Sequence, residues 1–136
     1  MSAVDVVLPR LKIEEGFRST SYRDTRGFLT IGYGFNVDAG ITEPEAAALL
    51  TAQVTERHNA LLVFGWYAAL DDARQSVCID ISFNCGFENF VNGWPLLIAA
   101  LKAGDWAAAQ QQCHTSTTED EGRYQALGQI LLTGNP

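Results

Sequence analysis

Three side chains that can support acid–base chemistry on a glycosidic bond lie within a short stretch near the N-terminus. Glu15 directly precedes a glycine, Asp24 follows nine positions later, and Thr30 follows six positions after that. A carboxylic acid can protonate a leaving oxygen, a second carboxylate can act on water or on a developing positive charge, and a hydroxyl can hold that water. The combination therefore indicates a candidate site for glycoside hydrolysis.

Each of these residues also has an ordinary structural role when it is considered alone. An aspartate followed three residues later by glycine, as Asp24 is by Gly27, is typical of a turn. A threonine such as Thr30 is common in strands, and Glu15, like its neighbour Glu14, fits the solvated end of a helix. The prediction of a site therefore depends on the combination and not on any single residue.

A helix is predicted just before the first candidate residue. Residues 4–15 carry apolar side chains at roughly helical spacing. Gly16 is suited to end this helix, because glycine adopts positive φ values easily. Pro9 falls inside the run and is expected to shorten or bend the helix. The pattern places Glu15 in the last turn.

A β-hairpin is predicted directly after this helix. Residues 19–23 and 28–33 are short and rich in aromatic and β-branched side chains, as strands are. The four residues between them, 24–27, have the composition of a turn. Asp24 is then expected at the turn and Thr30 on the returning strand.

Length and composition describe one small globular domain. The chain has 136 residues, of which 47% are hydrophobic and 18% charged, values typical of a folded domain with a workable core. No apolar run approaches the roughly 20 residues that cross a bilayer, and the N-terminus lacks the pattern of a signal peptide. We therefore expect no stable membrane insertion, and synthesis in the cytoplasm without a signal peptide.

The charge distribution argues against a nucleic-acid partner. The formal net charge is −7, yet residues 1–26 hold five of the nine lysine and arginine residues and only four of the sixteen acidic residues. The rest of the chain is therefore strongly acidic. Nucleic-acid binding is not expected of such a chain, nor is attraction of the whole molecule to an anionic surface.

The cysteines and histidines do not predict a disulfide or a metal site. Cys78 and Cys85 are seven residues apart on one predicted helix, too far along its axis to form a bond. We expect both, together with Cys113, to be small buried thiols. His58 and His114 lie outside metal-binding spacings, so no metal or other cofactor is expected.

The second half of the chain predicts a series of helices. A polar link at residues 36–40 precedes Thr42 and Glu45, which have the spacing of a capping box. Residues 64–66 are expected to break the helix that this box opens. Helices are predicted at residues 43–62, 70–85, 95–102 and 105–113, and from a second capping box at residues 118–121 through Leu132.

The segment that carries the three candidate residues resembles the active-site segment of phage-type lysozymes, the endolysins of glycoside hydrolase family 24. The shared pattern is E-G-x-R followed by Y-x-D-x-x-G-x-x-T-I-G-Y-G. The matching residues are Glu15, Gly16, Arg18, Tyr22, Asp24, Gly27, Thr30, Ile31, Gly32, Tyr33 and Gly34. The family usually has histidine after the last of these glycines, and this chain has Phe35 there.

The resemblance continues through the second half of the chain with shorter motifs. Residues 70–86 end in F-N-C-G, similar to the F-N-x-G ending of the family's central helix, and this motif contains Asn84. Residues 122–134 resemble the family's last helix. In that pattern Arg123 matches the arginine that faces the catalytic glutamate.

The resemblance implies a fold and a function. The implied fold is α+β and mostly helical, a single lysozyme-like domain over residues 1–136. It would comprise a small β-hairpin lobe at about residues 13–45, a long connecting helix, and a helical lobe at about residues 60–136 that includes the N-terminal helix. The implied function is hydrolysis of the β-1,4 bond between N-acetylmuramic acid and N-acetylglucosamine in bacterial peptidoglycan, for cell-wall degradation and host lysis.

The resemblance also implies roles for single residues. Glu15 would protonate the leaving oxygen, Asp24 would orient or deprotonate water, and Thr30 would hold that water. The substrate-binding or supporting residues would be Tyr22, Gly34, Phe35, Asn84 and Arg123. No cofactor is implied, and the protein is expected to be a monomer that reaches the periplasm through holin-dependent release.

Two other functions are compatible with the same fold. A lytic transglycosylase would cleave the same bond without using water, and a non-catalytic module would bind the glycan only. Asp24 and Thr30 favour the hydrolase, because both have a use in handling water. The presence of all three candidate residues argues against a binding module.

Overall fold

A computed structural model describes residues 1–114 and 120–136. Within these described residues the chain forms eight α-helices and one three-stranded antiparallel sheet, which confirms the expected α+β, mostly helical class. The helices are α1 (Ala3–Glu15), α2 (Glu43–Leu61), α3 (Gly65–Ala68), α4 (Asp72–Cys85), α5 (Phe87–Gly93), α6 (Pro95–Ala103), α7 (Trp106–Gln112) and α8 (Glu121–Thr133). The strands are β1 (Arg18–Arg23), β2 (Leu29–Gly32) and β3 (Phe35–Asn36).

The chain divides into two compact units, which we call the small unit (Met1–Ala48) and the large unit (Leu49–Pro136). The boundary between them falls inside α2. The small unit contains α1, the sheet and the start of α2. The expected grouping of the N-terminal helix with a helical lobe in one domain stays a prediction.

Helix α1 begins at a capping box and ends at a glycine. The Asp5 N–H donates to Ser2 Oγ at 3.2 Å, and the Ser2 N–H donates to Asp5 Oδ2 at 2.8 Å. At the other end Gly16, with φ of 68°, donates its N–H to the Lys12 carbonyl. The helix runs through Pro9, so the expected shortening is wrong, and the alternative of a bend stays a prediction. Well-anchored first and last turns explain why one lost hydrogen bond does not end the helix.

The sheet has one more strand than the predicted hairpin. Strand β2 lies between β1 and β3, and Thr30 pairs with Tyr22 on one side and with Asn36 on the other. The expectation that the polar link begins at residue 36 is therefore wrong. Gly32 and Gly34 have φ values of 68° and 78°, and these left-handed conformations reverse the chain within three residues.

The core of the large unit is centred on α4. Val77, Cys78 and Ile81 are fully buried there, as the sequence predicts, whereas Ala73 is half-buried. Other helices contribute the remaining large side chains of this core. They include Leu61, Tyr67, Phe90, Leu97, Leu101, Tyr124, Leu127 and Leu131.

Two short helices were not predicted. Helix α3 has four residues and lies where the sequence indicates a break, and the seven-residue α5 starts directly after Gly86 ends α4. Helices of one or two turns are too short to show a periodic apolar pattern.

The predicted capping box at residues 118–121 lies partly outside the described residues. Helix α8 begins at Glu121.

The three cysteines are free thiols. Cys78 and Cys113 are buried, and burial raises the pKa of each to about 12. Cys85 is only half-buried, and its pKa is also raised by burial. The expectation of buried thiols is therefore confirmed for two of the three.

The predicted capping box at the start of α2 is present. The Glu45 N–H donates to Thr42 Oγ1 at 3.4 Å, and the Thr42 N–H donates to Glu45 Oε2 at 2.7 Å.

We expect Thr42→Ala to lower the free energy of unfolding by about 1 kcal/mol, the usual contribution of a helix N-cap. Thr55→Ala is the matched control, because Thr55 is an exposed threonine in the middle of the same helix. Chemical denaturation of both variants measures the difference.

The stabilisation by this box should depend on pH. Hydrogen bonds from the Thr42 N–H and hydroxyl lower the pKa of Glu45 below its ordinary value. A carboxyl group with a lowered pKa in the folded state stabilises that state above its unfolded pKa and stops doing so as pH falls through its folded pKa. The difference between wild type and Thr42→Ala should therefore shrink on acidification. A difference that stays constant from neutral to acid pH would contradict this.

Candidate active site

The three predicted catalytic residues all lie in the small unit. Glu15 is the last residue of α1, Asp24 follows the last residue of β1, and Thr30 is the second residue of β2. The helix end, the turn and the returning strand are therefore the elements predicted to position them. Glu15 and Asp24 thus lie at boundaries that the sequence predicts, and Thr30 lies within the predicted returning strand.

The Glu15 carboxylate lies against the backbone of Gly34. A methyl group placed on Gly34 would lie 2.6 Å from Glu15 Oε2, closer than non-bonded atoms can approach. Gly34 also has φ of 78°, a conformation that favours glycine. The lack of a side chain at position 34 thus lets the acid at the end of α1 approach the turn between β2 and β3.

Asp24 has one carboxylate oxygen fixed by the turn that follows it. Its Oδ1 accepts hydrogen bonds from the Arg26 N–H at 2.9 Å and from the Phe28 N–H at 2.8 Å. These two bonds set the orientation of the carboxylate. Among the contacts of the described residues Oδ2 has no protein donor, so this oxygen can accept a hydrogen bond from water.

Thr30 is held in one orientation by the same turn. It is buried, with 3% of its surface exposed, and its hydroxyl donates to the Phe28 carbonyl at 2.9 Å. That carbonyl also accepts the Asp24 N–H at 2.9 Å. The backbone of Phe28 therefore connects the two residues. Because the hydroxyl hydrogen of Thr30 is used, its oxygen is left to accept a hydrogen bond.

Tyr22 is brought next to the predicted catalytic residues. It is the cross-strand partner of Thr30 on β1, so the two side chains are on the same face of the sheet. The Arg18 guanidinium lies 4.4 Å from the centroid of its ring. The positive charge of Arg18 therefore lies beside Tyr22, the residue that pairs with Thr30 on β2.

Phe35 packs against the turn glycine that precedes it by three residues. A methyl group on Gly32 would lie 2.9 Å from Phe35 Cδ2, so the ring covers Gly32. The Phe35 side chain remains exposed. The aromatic residue found in place of histidine thus makes a packing contact within the β2–β3 turn.

Asn84 and Arg123 lie in the large unit and have partners there. Asn84 Oδ1 accepts the Tyr124 hydroxyl at 2.8 Å. Arg123 donates to Asp80 Oδ1 from Nε at 2.8 Å and from Nη2 at 2.5 Å. These contacts join α4 to α8. A role for either residue toward Glu15 stays a prediction.

Sequence reasoning missed two contributors to this site. The Phe28 backbone connects Asp24 to Thr30 and has no side-chain signature. Asn36 flanks Thr30 on β3, and its Oδ1 accepts the Asp38 N–H at 3.0 Å and the Ala39 N–H at 3.3 Å. A side-chain bond to the backbone two residues on is a common turn signal, and it was available in the sequence.

Two structural features are absent from the described part of the chain. Within it, no group of three histidine, cysteine or acidic residues is arranged to hold a metal ion. No helix there is long and apolar enough to cross a membrane.

Comparison with known proteins gives one clear result. The sequence model of the phage lysozyme family matches residues 12–129, which is most of the chain and includes every candidate residue. No curated protein matches the chain significantly.

Proposed function

The chain belongs to the phage lysozyme family, and we propose that it hydrolyses the β-1,4 bond between N-acetylmuramic acid and N-acetylglucosamine in peptidoglycan. Membership of the family makes it a glycoside hydrolase that degrades peptidoglycan in host lysis, with a lysozyme-like fold. The choice of bond and the roles of single residues are our proposal. The observation that supports it most directly is the Phe28 backbone contact that joins Asp24 to Thr30.

In the proposed mechanism Asp24 and Thr30 hold the attacking water. Asp24 Oδ2 and Thr30 Oγ1 both act as acceptors, so the water donates one hydrogen to each. A lone pair on the water oxygen then remains for attack on the anomeric carbon. Asp24 takes up the proton as the bond forms, which is general base catalysis.

Glu15 acts as the general acid in this proposal. Its proton passes to the glycosidic oxygen as the bond to the anomeric carbon breaks, and the leaving sugar departs as an alcohol. The close approach of Glu15 to Gly34 limits where the carboxyl group can lie. Positioning of this kind matters because proton transfer requires hydrogen-bond distance to the leaving oxygen.

The expectations about state and location also belong to this proposal. We propose that the enzyme is a monomer and reaches the periplasm by holin-dependent release. The resemblance to phage-type lysozymes supports both statements.

The products separate hydrolysis from the alternative transglycosylation. Hydrolysis leaves a reducing muramic acid end, whereas a transglycosylase transfers the bond to the C6 hydroxyl of the same sugar and leaves a 1,6-anhydro end. We expect mass spectrometry of digested sacculi to show reducing ends, because Asp24 and Thr30 provide acceptors for water. The two products differ by the mass of one water. Predominantly anhydro ends would remove the hydrolase proposal.

A further inference from the structure

We propose that Arg18 and Arg26 form a carboxylate-binding face that recognises the stem peptides of peptidoglycan. The inference rests on the proposed function and names which part of the substrate the hairpin binds besides the glycan. It follows from the positions of the two guanidinium groups, from their lack of acidic partners, and from the chemistry of the polymer.

Each of the two arginines lies beside the aromatic ring of a residue that contacts or pairs with Thr30. Arg18 is 4.4 Å from the ring centroid of Tyr22, which pairs with Thr30 across the sheet. Arg26 is 5.4 Å from the ring centroid of Phe28, whose carbonyl accepts the Thr30 hydroxyl. Each cation therefore rests on an aromatic ring that neighbours Thr30. Both arginines are exposed.

Stacking leaves the donors of these guanidinium groups available. The attraction of a guanidinium to a ring comes from its charge and does not require its N–H donors. Among the described residues the arginine ion pairs are those of Arg10, Arg74 and Arg123. Neither Arg18 nor Arg26 has an acidic partner in that part of the chain. Both are thus exposed cations without an acidic partner there, and a guanidinium can bind a carboxylate through two parallel hydrogen bonds.

The net charge of the protein limits which kind of anion these two arginines can bind. With a net charge of −7 the protein is repelled by extended polyanions such as nucleic acid or an anionic lipid surface. Discrete carboxylates act at short range and are less affected by that repulsion, because charges further apart than about 10 Å are screened at 0.1 M salt. Stem peptides present such carboxylates. They are attached to the muramic acid residues, so they pass beside the bond that is cleaved.

Binding to insoluble sacculi tests the proposal independently of turnover. The protein carries Glu15→Gln, so that the polymer stays intact, and cosedimentation measures its dissociation constant. Sacculi from a Gram-negative bacterium are used because they lack teichoic acids. In half of the preparation the stem-peptide carboxylates are converted to neutral amides with a carbodiimide and ammonia, which keeps the cross-links and therefore the insoluble polymer. We expect each of Arg18→Gln and Arg26→Gln to weaken binding to intact sacculi about three- to fivefold, the upper part of the range of exposed ion pairs, and to leave binding to amidated sacculi unchanged.

Two further variants control for net charge and for folding. Arg10→Gln makes the same charge change on α1, where Arg10 lies 4.0 Å from Glu14, and it should bind both preparations like the parent. Arg18→Lys keeps the charge but loses the planar pair of donors, so its affinity should fall between those of the parent and Arg18→Gln. The unfolding transitions of all variants should coincide.

Several results would overturn the proposal. One is equal weakening on intact and amidated sacculi, which would mean that the arginines do not bind the stem-peptide carboxylates. Another is an Arg10→Gln effect as large as that of Arg18→Gln, which would mean that only net charge matters. Equally weakened binding to phosphatidylglycerol vesicles would show a general anion site. Failure of the hydrolase proposal would instead appear in the product analysis of the unmodified enzyme, so the two failures are distinguishable.

Discussion

Glu15→Gln is expected to lower the initial rate of cell lysis by about 10²–10⁴-fold, the usual contribution of general acid–base catalysis. Glutamine has nearly the same size as glutamate and can still form hydrogen bonds, but it cannot deliver the acidic proton to the leaving oxygen. The rate is measured as loss of turbidity of Gram-negative cells with a permeabilised outer membrane. The unfolding transition should be unchanged, because the Glu15 side chain is exposed at the end of α1.

Glu14→Gln is the matched control for this experiment. Glu14 is the preceding residue of the same helix, is exposed, and lies 4.0 Å from Arg10 in a surface ion pair. Such pairs contribute little to stability, so this variant should keep a lysis rate within a few-fold of the wild type. If Glu14→Gln abolishes lysis and Glu15→Gln does not, the assignment of the general acid is wrong.

The elements around the site were predictable because each has a strong local signal. Gly16 ends α1, and the aspartate at position 24 starts the turn that ends the first strand, both as predicted. These signals work because they depend on the backbone preferences of residues that are adjacent in the chain. The third strand was missed, since two residues are too few to show an alternating pattern.

The contacts within the site could not be derived from sequence in the same way. The bond from the Thr30 hydroxyl to the Phe28 carbonyl involves backbone atoms that every residue has. The close approach of Gly34 to Glu15 joins residues that are 19 positions apart. The resemblance identifies Gly34 as a supporting residue, but only the structure gives the steric reason.

Packing in the large unit was partly predictable, because the apolar spacing of a helix is a local pattern. The apolar spacing of α4 indicates that Val77, Cys78 and Ile81 face a core, and they do. The same pattern does not reveal Arg74, which is buried on that helix and donates from Nε to the Leu131 carbonyl at 2.8 Å. Its ion-pair partner Asp71 is only three residues away. The buried guanidinium also needs acceptors such as the Leu131 carbonyl, and a partner 57 residues away is not visible in the local pattern.

Gly34→Ala is expected to reduce the lysis rate on the order of 10²-fold through displacement of the Glu15 carboxyl group. The new methyl group would lie 2.6 Å from Glu15 Oε2, and the flexible end of the glutamate side chain can move away to relieve that contact. Relief by movement limits the cost in stability. It also moves the acid, and a misplacement of about 1 Å can lower a rate about 10²-fold. The loss should appear in kcat.

Gly40→Ala separates this steric effect from backbone strain. Gly40 has φ of 77° against 78° at Gly34, and a methyl group on it would meet no atom within 4 Å. Both alanine variants should therefore lose a similar free energy of unfolding, about 1–2 kcal/mol for a left-handed alanine. Only Gly34→Ala should lose lysis activity, because only position 34 lies against Glu15. If the two variants lose the same stability and also lyse cells at the same rate, catalysis does not depend on the space that Gly34 leaves for the Glu15 carboxyl group.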